Sequence, residues 1–244
     1  MPTRLARIFA ILLFCTVSTA QALVINEIRV DQPGADNDEY FELAGSAGES
    51  LDGLSYLVLG DSSAGGSGVV ESVTHLSGLQ VSASGFFLAA EASFSLGASP
   101  DLVTSLNFEN SDNVTHLLVR DFSGSLADDL DSNDDGLLDS TPWTAILDSL
   151  ALVGSGGGEW AYGPVQLGPA DGGAVPMHAY RGTDRSSGWL IGDVQPEHDT
   201  AGSSNTPYAV PEPASLALLL VGLLVLIPGR GPQHCLSRRD CPAV

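Results

Sequence analysis

The chain reads Val24-Ile25-Asn26-Glu27-Ile28-Arg29-Val30 and then, after the turn sequence Gly34-Ala35-Asp36-Asn37-Asp38, Glu39-Tyr40-Phe41-Glu42-Leu43-Ala44. Both runs are short, rich in β-branched or aromatic residues, and bounded by turn-forming residues, which is typical of β-strands. Six further runs of this kind follow, without sustained apolar residues at the helical spacing i, i+3, i+4, i+7. The predicted strands are 23–30, 39–44, 54–60, 69–76, 85–90, 102–108, 114–120 and 145–153. Many short strands with Gly-rich turns predict an all-β sandwich or barrel.

The first of these strands resemble a known family. Residues 24–28 and 39–43, continued by Leu51-Asp52-Gly53-Leu54-Ser55-Tyr56-Leu57-Val58-Leu59, are similar to the opening of lamin-tail domains. Gly85-Phe86-Phe87-Leu88 and Asn113-Val114-Thr115-His116-Leu117-Leu118-Val119 resemble later strands of that family. The resemblance covers residues 23–153 and implies an immunoglobulin-like β-sandwich.

The N-terminus is typical of a secretory signal peptide. Arg4 and Arg7 precede an apolar run over residues 8–17, and the small-residue sequence Ala20-Gln21-Ala22 follows. This order of basic region, apolar region and A-x-A site predicts export through the Sec machinery and cleavage after Ala22. The apolar run is shorter than the roughly 20 residues that span a bilayer.

The C-terminus resembles a PEP-CTERM sorting signal. Pro211-Glu212-Pro213 precedes an uncharged run over residues 214–227, and Arg230 follows. The resemblance implies that an exosortase-type membrane protease recognises Pro211, Glu212 and Pro213 after export. Basic residues from Arg230 onward keep the end of the chain cytoplasmic by the positive-inside rule. The protein would be held in the membrane by this transmembrane helix before processing, and would then reach the cell surface or the extracellular space; the alternative is a plain C-terminal anchor.

These signals predict six segments. They are a signal peptide (1–22), a lamin-tail-like sandwich (23–153), an irregular extension packed on it (154–201), a linker (202–209), the sorting signal with its transmembrane segment (210–230) and a cytoplasmic tail (231–244).

Composition limits the functions open to the chain. It has 30 acidic residues against nine basic ones, all of them arginine, for a net charge of −21. Because nucleic-acid affinity depends largely on counterion release onto Lys and Arg, binding to DNA or RNA is not expected. Residues 23–210 contain no cysteine, so disulfide bonds and thiolate chemistry are excluded from this region.

An acidic loop is the candidate metal site. Residues 121–139 contain seven acids and no basic residue, and residues 131–139 read D-x-N-x-D-G-x-x-D. The pattern resembles EF-hand and dockerin-type loops, in which spaced oxygens wrap around Ca²⁺ and a glycine permits the sharp turn. Position twelve is Pro142 rather than an acid, which predicts a weak site; the alternative is a solvated acidic hairpin. The implied ligands are Asp129, Asp131, Asn133, Asp135, the carbonyl of Leu137, and Asp139.

Signals for catalysis are sparse. The histidines of residues 23–210 are isolated in sequence, and no nucleophile-elbow or phosphate-loop pattern is present. Glu27 and Glu42 could face each other on neighbouring strands as a glycosidase pair, but their place in the strand pattern favours outward or turn-bracing roles. His75 and His116 are expected on strand surfaces.

These features predict a non-catalytic exported surface or extracellular-matrix protein, sorted by an exosortase-type system and associated with exopolysaccharide or biofilm. One alternative is a calcium-dependent binding module for polysaccharide or protein. Another is a secreted hydrolase with an unrecognised site.

Overall fold

The chain folds into two β-sheets. The structure, a computed structural model, describes residues 22–62, 65–109, 111–156, 159–186 and 188–206. The strands of these residues are β1 (Val24–Arg29), β2 (Tyr40–Ala44), β3 (Leu54–Asp61), β4 (Ser67–His75), β5 (Phe86–Ala90), β6 (Leu102–Val103), β7 (Val114–Arg120), β8 (Ala145–Leu152), β9 (Gln166–Leu167), β10 (His178–Arg181) and β11 (Trp189–Ile191). Two short 3₁₀ turns, Asp171–Gly173 and Pro196–His198, complete the elements of these ranges. The predicted all-β class is confirmed.

The two sheets differ in strand order. The first sheet runs β11-β10-β1-β2-β5-β6 and the second runs β4-β3-β7-β8-β9. Neighbouring strands are antiparallel except for the short edge pairs β5/β6 and β8/β9, which are parallel. The β1/β2 register shifts between Ile25 and Glu27, so Asn26 is an extra residue on β1. Because of this bulge, Asn26 and Glu27 both lie next to Glu42. Asn26 contacts the side chain of Glu42, and Glu27 is opposite Glu42 in the strand register.

The sheets enclose one apolar core. Phe41 of β2 and Tyr56 of β3 stack across it, with ring centroids 3.8 Å apart and planes inclined by 3°. Both side chains are fully buried. The core draws on both sheets, and includes Ile25, Ile28, Leu43, Phe87, Leu54, Val58, Val114, Leu118 and Leu150. With no cysteine in these residues, burial of apolar surface is the main source of stability.

Each sheet is also covered on its outer face. On the second sheet, Leu57 and Leu117 pack against Leu130 and Tyr162, which come from the segments that follow β7 and β8. On the first sheet, the outer face is covered by residues 192–206, which we call the closing segment. Its Ala201 packs beside the apolar cluster of Tyr40, Leu88 and Ala90, and its polar residues contact the charged side chains of β1, β2 and β10.

The C-terminal part of the fold differs from the predicted organisation. Residues 154–201 do not form only an irregular extension, because β9 joins the second sheet and β10 pairs with β1 inside the first. The segment expected as a linker begins within the fold, since Asn205 is buried and donates hydrogen bonds to the carbonyls of Asn26 and Arg181. The strand predicted over 102–108 is limited to Leu102–Val103.

The predicted targeting segments lie mostly outside the described residues. Ala20, the motif Pro211-Glu212-Pro213 and Arg230 are outside them, whereas Ala22 is described and exposed and is followed by the buried Leu23. Within the described ranges, no helix is long and apolar enough to cross a membrane.

Candidate functional site

The acidic loop is anchored to β4 at two points, Leu130 and Asp134. Leu130 donates its backbone N–H to the carbonyl of Gly68, and Ser67 donates its own to Asp134 Oδ1 at 2.7 Å. Gly68 has a φ of 82°, and a Cβ at this position would lie 2.8 Å from both Asp131 Cβ and the Tyr162 hydroxyl. A glycine is therefore needed for the loop to approach the strand so closely.

Asp131 is the organising residue of this loop. Its side chain is buried, and its carboxylate accepts hydrogen bonds from the backbone N–H groups of Asp135 and Gly136 and from the Tyr162 hydroxyl, the last at 2.7 Å. The N–H of Asp135 is shared between Asp131 Oδ1 and Asn133 Oδ1, and lies 3.2 Å from each of these oxygens. The loop thus brings Asp131, Asn133 and Asp135 into one turn.

The remaining predicted ligands have other contacts. Asp129 Oδ1 accepts the N–H of Asp131, and Asp139 Oδ2 accepts the Ser132 hydroxyl at 2.7 Å. Leu137 is 70% exposed. Gly136 has a φ of 84°, the left-handed conformation that the sixth position of a calcium loop needs for its turn.

A second polar cluster lies beneath the closing segment, and the sequence indicates only its facing pair, Glu27 and Glu42. Glu27 of β1 and Glu42 of β2 are opposite one another in register, and both are fully buried. The expectation that they point outward into solvent or brace turns is wrong, because the closing segment covers the face that carries them. His178 of β10 and Asp199 of the closing segment complete the cluster.

His178 bridges the closing segment and Glu27. Its Nδ1 lies 2.7 Å from the carbonyl oxygen of Asp193, and its Nε2 lies 2.8 Å from Glu27 Oε1. Because a carbonyl only accepts, Nδ1 carries a proton and donates it. Burial lowers the pKa of His178, but the hydrogen bond to Glu27 and the charges of Glu27 and Asp199 outweigh burial and raise it.

The carboxylates of the cluster are fixed by several donors. Asp199 accepts from the Tyr40 hydroxyl at 3.1 Å and from Arg29 Nη1 at 3.2 Å, and the Thr200 hydroxyl donates to Glu27 Oε2 at 2.7 Å. Glu42 accepts from Asn26 Nδ2 at 2.8 Å and from the N–H of Gly202 at 2.7 Å. Burial, followed by the charge of Glu27, still raises the pKa of Glu42 well above its ordinary value.

Three groups of side chains among the described residues could hold a metal ion. One is Glu27, His178 and Asp199; the other two are acidic, share Asp61, and add either Asp112 with Glu159 or Glu71 with Glu109. Burial, then the charges of Glu109 and Asp61, raise the pKa of Glu71 to about 7. None of the three groups includes a residue of the acidic loop.

His116 also differs from its expected place. It is fully buried in the core, where its Nδ1 lies 2.9 Å from the Tyr56 hydroxyl, and burial lowers its pKa to about 3. His75, by contrast, is exposed on β4 as expected. A signal for burial was present at Glu42 and His116: Glu42 lies between Phe41 and Leu43, and His116 is followed by Leu117-Leu118-Val119, as in a strand that is covered on both faces.

Comparison with known proteins adds no relative. No family model, no curated protein and no solved structure matches the chain.

Proposed function

We propose that the chain is an exported, non-catalytic protein of the cell surface or extracellular matrix, delivered through Sec and sorted by an exosortase-type protease. The observation that carries the proposal is the closure of the fold just before the sorting motif. Asn205 is buried and hydrogen-bonded to the first sheet, and Pro211 follows six residues later. A folded domain followed at once by a Pro-Glu-Pro motif, an apolar run and basic residues matches the layout of a sorted surface protein.

The N-terminal side supports the same proposal. Leu23, the residue that follows the expected cleavage site, packs in the core between the sheets. Cleavage after Ala22 would leave the folded part of the chain intact. An exported fold that contains no cysteine is also independent of the redox state of its compartment.

For the fold itself we propose an immunoglobulin-like sandwich of the lamin-tail type. Two sheets of mostly antiparallel strands around a shared core support this assignment. A surface with a large excess of acids and no lysine suits a solvated matrix component associated with exopolysaccharide, and disfavours nucleic acid as a partner.

A calcium-dependent binding module is the second candidate. It is favoured by the turn that joins Asp131, Asn133 and Asp135, and by the left-handed Gly136 at its sixth position. The hydrolase alternative has less support, because the candidate carboxylate pair Glu27 and Glu42 is closed off from solvent.

The processing of the tail tests the leading proposal. Glu212→Ala should leave the protein in the membrane fraction with its full tail mass, because the protease no longer recognises its motif. Ser215→Ala, three residues downstream, is the matched control and should be processed like the natural protein. Cells that lack the exosortase should give the natural protein the fate of the Glu212→Ala variant. Equal mass and equal fractionation of the Glu212→Ala variant and the natural protein would refute sorting through this motif.

A further inference from the structure

We propose that Glu27, His178 and Asp199 bind one divalent transition-metal ion that fastens the closing segment to the first sheet. The three residues come from β1, β10 and the closing segment, so they are far apart in sequence and meet only in the folded chain. One ligand atom from each lies within 4.8 Å of the others.

The distances suit an ion with short bonds to nitrogen and oxygen. Ligand atoms bound about 2.1 Å from an ion are separated by about 3.0–3.4 Å in octahedral or tetrahedral geometry. His178 Nε2 and Glu27 Oε1 are already 2.8 Å apart. Small side-chain rotations would make room for an ion between them, without rearrangement of the strands.

The groups around the three ligands orient them as in known metal sites. A metal-bound histidine usually donates its second ring N–H to a carbonyl or a carboxylate, and His178 Nδ1 does so to the carbonyl of Asp193. Glu27 is held by the Thr200 hydroxyl, and Asp199 is held by Tyr40 and Arg29. Each ligand is therefore oriented by a neighbouring group once the closing segment lies on the sheet.

The charge of the cluster favours a cation. Three carboxylates, those of Glu27, Glu42 and Asp199, lie in a buried region where Arg29 contacts Asp199 and the imidazole of His178 contacts Glu27. Removing carboxylates from water is costly unless positive charge compensates them. A divalent ion would supply that charge at the centre of the group.

The ligand set separates this site from the acidic loop. An imidazole nitrogen with carboxylate oxygens suits Zn²⁺ and related first-row ions, whereas Ca²⁺ and Mg²⁺ take oxygen ligands. The ion would enter while the closing segment is still open, and its binding would then stabilise the folded chain.

The test is the stoichiometry of Zn²⁺ on the full-length chain, purified in detergent. Cys15, Cys235 and Cys241 are replaced by Ser in every variant, so that thiolates do not bind the metal. The protein is treated with EDTA, dialysed against micromolar Zn²⁺, and analysed for metal content and affinity. The variants are His178→Gln, which removes the nitrogen ligand, and Thr200→Val, which keeps all three ligands but removes the hydroxyl that holds Glu27. His75→Gln, a change at an exposed histidine, is the matched control.

The parent protein and His75→Gln should each retain about one Zn²⁺ per chain. His178→Gln should lose at least about 100-fold in affinity, and Thr200→Val roughly 10- to 100-fold, the usual cost of removing a group that orients a ligand. Excess Ca²⁺ should not displace the Zn²⁺. The proposal is overturned if the folded parent protein retains no Zn²⁺, since the cluster is then an ion-pair network only. It is equally overturned if Thr200→Val and a folded His178→Gln bind as the parent does.

Discussion

Glu27 and Glu42 are directly opposite one another on β1 and β2, with both side chains fully buried. Two charged carboxylates in this position would repel one another, and burial adds a desolvation cost, so the pKa of Glu42 lies well above its ordinary value. The fold offsets both with hydrogen bonds from the closing segment, where Thr200 donates to Glu27 and Gly202 to Glu42. The closing segment is therefore held to the sheet by polar contacts more than by apolar ones.

The ion pair between Arg29 and Asp199 should be one of the strongest polar contacts between the closing segment and the sheet. Both side chains are 2% exposed and their nearest atoms are 3.2 Å apart. Arg29→Met should lower the free energy of unfolding by about 3–5 kcal/mol, because it leaves a buried carboxylate without its partner. Arg29→Met combined with Asp199→Asn should lose less than Arg29→Met alone, since no unpaired charge then remains.

Urea unfolding in the presence of EDTA measures this coupling through a double-mutant cycle. Arg120→Met, at an exposed arginine, is the control and should change stability by less than about 0.5 kcal/mol. If the losses of the two single variants simply add, Arg29 and Asp199 do not interact energetically.

Much of the fold could be predicted because its central strands have clear local signals. Strands β3 and β7 are rich in β-branched, aliphatic and aromatic residues. Turn residues such as Gly53 and Asp121 bound them, so their predicted limits agree with the structure to within one residue. The strands β9, β10 and β11 are two to four residues long, which is too short for any periodicity to be detected. Strands β10 and β9 pair with the edges of β1 and β8, and β11 pairs in turn with β10, so all three depend on tertiary context.

The acidic loop and the buried cluster also differ in how far the sequence predicts them. The acidic loop could be found from sequence because its residues are contiguous and their spacing sets the turn. The buried cluster could not, since His178 follows Glu27 by 151 positions and only the pairing of β10 with β1 brings them together. A charged residue within an apolar strand is expected to face solvent, whereas here a further layer of the chain covers it.

The stack of Phe41 on Tyr56 should be central to stability. Phe41→Ala should cost about 3–5 kcal/mol, because the cavity lies between the two sheets and cannot easily collapse. Leu137→Ala, at a residue that is 70% exposed, should cost less than about 0.5 kcal/mol. Equal losses of stability in Phe41→Ala and Leu137→Ala would mean that this stack does not stabilise the core.

The circular dichroism spectrum of the natural protein should be β-rich and unchanged by reducing agents, because residues 23–210 contain no cysteine.

Glu39 should make stability depend on pH. Its carboxylate is buried and accepts the N–H of Phe108 at 3.1 Å, and burial, despite that hydrogen bond, raises its pKa to about 8. A raised pKa means that the folded state favours the protonated acid. The contribution of Glu39 is therefore fully present below its unfolded pKa of about 4.3 and is lost as pH rises toward 8.

Glu39→Gln should remove this dependence, because the amide resembles the protonated acid and still accepts from Phe108. Urea midpoints at pH 5, 6.5 and 8 should fall less steeply for this variant than for the natural protein. Asp171→Asn, at an exposed turn, should follow the natural protein. Parallel pH profiles for the natural protein and Glu39→Gln would show that Glu39 does not titrate in this range.

Calcium should stabilise the fold through the acidic loop. An ion that binds only the folded loop stabilises it by mass action, and a site without an acid at position twelve should have a dissociation constant of about 10⁻⁴–10⁻³ M. About 10 mM Ca²⁺ should then raise the free energy of unfolding by roughly 1–3 kcal/mol. Mg²⁺ should do less, because it requires stricter octahedral geometry and releases water reluctantly.

The hydrogen bonds and the exposure of the loop residues determine which substitutions can test the calcium prediction. Asp131→Ala is unsuitable, because Asp131 also holds Tyr162 and the N–H groups of its own turn and its loss would destabilise the loop without any ion. Asn133 and Asp135 are exposed, so the double variant Asn133→Ala/Asp135→Ala should keep the fold and lose most of the gain in melting temperature with Ca²⁺. NaCl at equal ionic strength controls for screening among the seven acids of the loop. If NaCl reproduces the gain, or if the double variant retains it, the loop is a solvated acidic turn.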